Sequence, residues 1–91
     1  MSDVKDIEQH ILRIAQIVID ELRLEDVTKE TFDPDLDLVD ELGIDSMDLA
    51  TVALVLQDEY GVSIDEDDYP KLKTLRLIAE YLLARLQEKA A

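Results

Sequence analysis

The stretch Gly43-Ile44-Asp45-Ser46-Met47-Asp48-Leu49 leads directly into the most regular apolar repeat of the chain. Leu49, Val52, Ala53, Leu56 and Tyr60 recur at three- and four-residue steps, which puts them on one helix face, and Gly61 stands where a left-handed cap would end that helix. The spacing predicts a helix from about Ser46 to Tyr60. Asp45 suits the N-cap, because a short carboxylate can accept from the free amides of the first turn, and Asp48 lies in the positive end of the helix dipole. Ser46 is thereby placed at a helix start, its hydroxyl near amides that lack an intrahelical partner, a setting that favours a phosphate. Taken alone, a serine beside an aspartate at this position is most often a capping residue and nothing more.

Upstream, Val4, Ile7, Ile11, Ile14, Ala15, Val18 and Leu22 mark one face of a helix of about five turns, with Ser2 or Asp3 as its cap. Lys5, Glu8, Gln9, Arg13, Gln16 and Asp20 lie opposite, so the helix packs within a bundle. Between about Leu24 and Leu42 the periodicity fades. Thr28, Thr31, Asp33 and Pro34 supply turn chemistry, and Phe32, Leu36, Leu38 and Leu42 are expected to anchor a long loop to the core. Asp33, Asp35 and Asp37 match the start of a calcium loop, but the sixth position is Leu38 where glycine is needed and the twelfth is Ile44 where a bidentate glutamate belongs. No specific metal site is expected.

Downstream, Val62 and Ile64 can turn inward and Asp65-Glu66-Asp67-Asp68 can open a short helix, which Pro70 keeps short or irregular. Thr74 looks like the cap of a last helix whose inward stripe is Leu75, Ile78, Ala79, Leu82 and Leu86, with Lys89 near its end. Three long helices, a short third one and no strand-like alternation imply an all-α four-helix bundle, read as one domain over residues 1–91. An apolar fraction of 47% suffices for a core, which only four aromatic residues oblige Leu, Ile and Val to fill. The net charge of −14, from 9 basic and 23 acidic residues, argues against direct contact with nucleic acid or anionic membrane and points to basic protein surfaces. Cysteine is absent, so the chain has neither a catalytic thiol nor a thiolate metal site. With no signal-like segment and no membrane-spanning apolar run, a cytoplasmic monomer without membrane insertion is expected.

Leu42-Gly43-Ile44-Asp45-Ser46-Met47 resembles the Leu-Gly-hydrophobic-Asp-Ser-Leu signature of acyl carrier proteins, with Met47 replacing leucine at similar volume. The resemblance covers most of the chain, from the first helix to about Leu86, and its specific part is the segment around the serine. It implies the same helical bundle, with the short helix third. It also implies that Ser46 receives 4′-phosphopantetheine from coenzyme A. A separate phosphopantetheinyl transferase, the holo-carrier synthase, does this in the family, so the chain needs no base of its own; its one histidine, His10, is on another helix and reads as structural. In the family the exposed side of this helix docks onto basic patches of acyl-transferring and acyl-modifying enzymes. Here that side comprises Asp45, Met47, Asp48, Thr51, Leu54, Asp58 and Glu59. Thr51 and Gln57 stand where relatives often carry acids, so its middle is less charged.

The function expected is that of a discrete acyl carrier, without catalytic activity of its own, serving fatty acid, lipid or polyketide biosynthesis. An aminoacyl or peptidyl carrier shares the fold and the modified serine, but usually has a second glycine where Ile44 stands. An unmodified acidic interaction module is the alternative from a different class, and it would not predict a serine in this setting.

Overall fold

The apolar stripe that begins at Leu49 forms the expected helix and has the expected ends. The structure, a computed structural model, describes the backbone over residues 3–90 and the side chains over residues 7–88. Its elements in chain order are α1 (Asp3–Leu22), α2 (Leu38–Leu42), α3 (Ser46–Tyr60), a 3₁₀ helix (Glu66–Lys71) and α4 (Leu75–Ala90). The proposed cap at Ser2, and the side chains of Val4, Lys5 and Lys89, lie outside the described residues.

The core is built where the three long stripes meet, with α1 packed on both α3 and α4. Ile14 and Ala15 from α1, Leu56 from α3, and Leu75, Ile78, Ala79 and Leu82 from α4 are at most 1% exposed. Each buried Leu or Ile contributes about 1.5–3 kcal/mol over an exposed one, so these helices are held mainly by their shared apolar face. Tyr60 and Leu86, at the ends of their stripes, are only half-buried.

Two details differ from the sequence reading. The segment taken as continuous loop from Leu24 to Leu42 contains α2, so the described residues form five helices, two of them short. Asp37 starts α2 by accepting from the amides of Val39 and Asp40 at 3.0 and 2.9 Å, and Gly43 stops it at φ 68°, its amide donating to Val39. Leu42 is the second correction: Phe32 and Leu38 are buried at 4% and 2% exposure, but Leu42 is 38% exposed and anchors nothing in the core.

The loop is also fixed by backbone bonds to the start of α4. The Leu38 amide donates to the Lys73 carbonyl at 2.8 Å, and the Arg76 amide to the Pro34 carbonyl at 3.0 Å. Thr74 caps α4 as expected, its Oγ1 accepting from the Leu77 amide at 3.1 Å. The acidic run of the rejected calcium loop is used locally: Asp33 accepts from the Asp35 amide, Asp35 pairs with Arg76 at 2.8 Å, and Asp37 is the α2 cap. The Arg76 guanidinium holds the Asp35 carboxyl below the usual carboxylate range. Among the described residues no three metal-ligating side chains converge, and no described helix is long and apolar enough to cross a membrane.

Candidate functional site

Ser46 is the first residue of α3, held there by the three-residue turn Gly43-Ile44-Asp45 between α2 and α3. Asp45 has extended backbone and its Oδ1 accepts from the Asp48 amide at 2.8 Å, which makes it the N-cap expected from the sequence. That bond and the Asp45 carbonyl, which accepts from the Leu49 amide at 3.0 Å, leave the amides of Ser46 and Met47 without an acceptor among the described residues. The Ser46 side chain is exposed, and no group among the described residues hydrogen-bonds its hydroxyl. Free amides, the positive end of a 15-residue helix and an unencumbered hydroxyl therefore coincide at one residue.

Among the described residues no group hydrogen-bonds the serine hydroxyl to draw off its proton, and the histidine is elsewhere. His10 Nδ1 is 2.8 Å from the hydroxyl of Tyr60, at the opposite end of α3. At the rise of an α-helix that end lies about 20 Å from Ser46. The His10 and Tyr60 rings are tilted at 48° with centroids 5.4 Å apart, and burial raises the Tyr60 pKa above its ordinary value. This half-buried pair joins α1 to α3 and is structural.

Next to the serine lies an open cavity of about 370 Å³. It is lined by the buried Ile44, Leu49 and Leu72, by Val39 of α2, by Tyr69 and Pro70 of the 3₁₀ helix, by the carboxylates Asp37, Asp40 and Asp45, and by Ser46 and Lys73. Its apolar lining beside the Ser46 hydroxyl suits the less polar chain of a group attached there, while its one cation, Lys73, is outnumbered by the three carboxylates.

Residues 12–82 match the family model of the phosphopantetheine attachment site. The chain is 33% identical over 73 residues to the acyl carrier protein of Syntrophus aciditrophicus (strain SB), covering 80% of this chain and 88% of that protein. It is 31% identical over 70 residues to the acyl carrier protein of Nitratidesulfovibrio vulgaris (strain DP4), covering 77% and 88%. Against the acyl carrier protein of Syntrophobacter fumaroxidans the identity is 30% over 77 residues, 85% of this chain and 91% of the relative.

The chain belongs to the acyl carrier protein family.

As such it is an acyl carrier that catalyses nothing itself and holds its cargo through a covalent 4′-phosphopantetheine. It works with a phosphopantetheinyl transferase and with enzymes that handle acyl groups. The residues around Ser46 fit that group, because the exposed hydroxyl offers an attachment atom, the free amides of the helix start favour an anion, and the apolar cavity adjoins both. When attached, the group supplies a thiol on a flexible arm to a protein that has no cysteine.

The carrier's α3 surface largely matches the surface read from the sequence. Met47 and Leu54 are 77% and 63% exposed, Thr51, Asp58 and Glu59 are exposed, Asp45 is exposed beyond its capping oxygen, and Asp48 is half-buried. Gln57 is not part of this surface. Its Oε1 accepts from the Ile64 amide at 2.7 Å, tying the end of α3 to the segment that follows. Sequence reasoning also missed Lys73, Tyr81 and Arg85; a lysine one residue before a cap and a Tyr-Arg pair four apart on a helix were the available signals.

Proposed function

We propose that Ser46 is the attachment residue of this carrier, and that residues 1–91 act as one carrier domain in fatty acid, lipid or polyketide biosynthesis. The observation that supports this best is the exposed Ser46 hydroxyl at the start of α3, beside unpaired amides and an apolar cavity. With the histidine about 20 Å away, the base that takes the hydroxyl proton belongs to the transferase. In this reading Lys73 and the amides of Ser46 and Met47 steady the phosphodiester, and the cavity accepts the less polar chain. Partner enzymes present basic patches to Asp45, Met47, Asp48, Thr51, Leu54, Asp58 and Glu59, and the carrier works as a cytoplasmic monomer. The net charge of −14 supports protein partners over nucleic acid. Incubation with coenzyme A, magnesium and a broad-specificity phosphopantetheinyl transferase should add one phosphopantetheinyl mass to the wild type and none to Ser46→Ala. A wild-type mass that stays unchanged with several transferases would sink the assignment.

A further inference from the structure

The walls of the cavity beside Ser46 are not equally fixed. α2 contributes buried Leu38 to the core and α3 contributes Leu49, Val52, Ala53 and Leu56, whereas the 3₁₀ helix has no buried residue. Its flanks are anchored, at Ile64 and Leu72 with 6% and 2% exposure. Between those pins Tyr69 and Pro70 face the cavity, and Asp65 and Asp68 face α4. The one apolar contact of the 3₁₀ helix with the core is the partly buried Tyr69, so the helix can shift with little disturbance of the core, and whatever holds its other side sets the cavity's width.

That hold is a polar cluster centred on α4. The Tyr81 hydroxyl donates to Asp68 Oδ2 at 2.7 Å and accepts from Arg85 Nη2 and Nε at 2.8 and 3.2 Å. Arg85 Nη2 also reaches Asp65 at 3.2 Å and Asp68 at 3.4 Å, and Lys71 closes on the other Asp68 oxygen at 3.1 Å. The guanidinium carbon lies 5.1 Å from the centre of the Tyr81 ring. The Tyr81 hydrogen bond, then that of Lys71, holds the Asp68 carboxyl below its ordinary pKa.

We propose that Tyr81 and Arg85 are positioning residues that latch the 3₁₀ helix as the adjustable wall of the cavity, and so set which acyl chains this carrier shelters. They touch neither the serine nor the cargo; they act through Asp65 and Asp68 on Tyr69 and Pro70. This rests on the reading of Ser46 given above, and it names the residues that would tune the same site for chain length.

The test uses the full chain with Tyr81→Phe, which keeps the half-buried ring and removes the hydroxyl, and Arg85→Gln as a second variant. In the unmodified protein the amides of Asp68 and Leu72, which close turns of the 3₁₀ helix onto Asp65 and Tyr69, should exchange with deuterium roughly tenfold faster in Tyr81→Phe. Amides of α3 from Val52 to Leu56 should keep their protection, as expected when one bond to a charged group is lost locally. Wild type and variants are then loaded with butyryl-, octanoyl- and dodecanoyl-phosphopantetheine, and melting and thioester cleavage by hydroxylamine are measured. The chain that gives the wild type its largest melting gain should be shorter than the one that does so in the variants, and cleavage of the shortest thioester should be several-fold faster in the variants. Uniformly faster exchange in α1, α3 and α4 would show that the cluster only supports the fold, and would overturn the proposal. So would an unchanged chain-length profile. Wild type that gains no mass would instead bring down the reading of Ser46, and the role of the latch with it, whatever the exchange data show.

Discussion

Two positions of opposite character share one backbone region. Gly43 has φ 68° and a β-carbon added there would meet nothing within 4 Å, while Arg23, just past α1, has φ 56° with a full side chain. A left-handed conformation costs an ordinary residue about 1–2 kcal/mol relative to glycine, so the two sites should respond in opposite directions. Gly43→Ala should lose about 1 kcal/mol in urea unfolding from strain alone, and Arg23→Gly should gain up to about 1 kcal/mol. The gain is reduced because glycine also loosens the unfolded chain. A Gly43→Ala variant as stable as wild type would show that the turn between α2 and α3 relaxes, and that the cap geometry at Ser46 is less fixed than the bonds of Asp45 imply. The residue most legible in the sequence was Asp45, whose bond to the Asp48 amide follows from a cap placed three residues ahead of an acid.

Among the elements, α1, α3 and α4 were readable because a stripe of three or more turns outweighs local noise. α2 was not, although its start and stop were both printed in the chain. Asp37 and Gly43 bracket only five residues, too few to show a period, and the alternating acids drew attention to a metal loop instead. Pro70 was rightly a sign of irregular helix, since the segment around it is a 3₁₀ helix. The latch on that helix was out of reach, because Tyr81 and Arg85 meet Asp65 and Asp68 only through folding. On α3 the two kinds of surface residue should separate kinetically. Asp48→Lys should slow association with a transferase, with the difference shrinking as salt rises, because charge governs encounter. Leu54→Ala should speed dissociation by removing apolar area buried after contact, with little salt dependence. Surface plasmon resonance at two ionic strengths reads both, and two variants that bind like wild type would move the partner surface off this face.

The whole molecule carries −14 on 91 residues, and among the described residues only part of that charge is matched locally: Arg76 takes Asp35, Lys71 serves Asp68, and Arg85 serves Asp65, Asp68 and Glu88. Salt screens those pairs and the wider repulsion together, and with so large an excess of acids the repulsion dominates. Melting temperature should therefore rise with sodium chloride; a relief of about 1 kcal/mol corresponds to roughly 4–8 °C for a domain of this size. Calcium and magnesium should act alike, and a saturating gain with calcium alone would reveal a specific site. The bonds from Leu38 to Lys73 and from Arg76 to Pro34 have a different kind of consequence, one of timing. A chain made from its N-terminus delivers Ser46 well before the two residues that complete the loop in front of it. Until the start of α4 has left the ribosome, the loop before α2 has no partner for those two bonds. The serine is made before the loop in front of it can close.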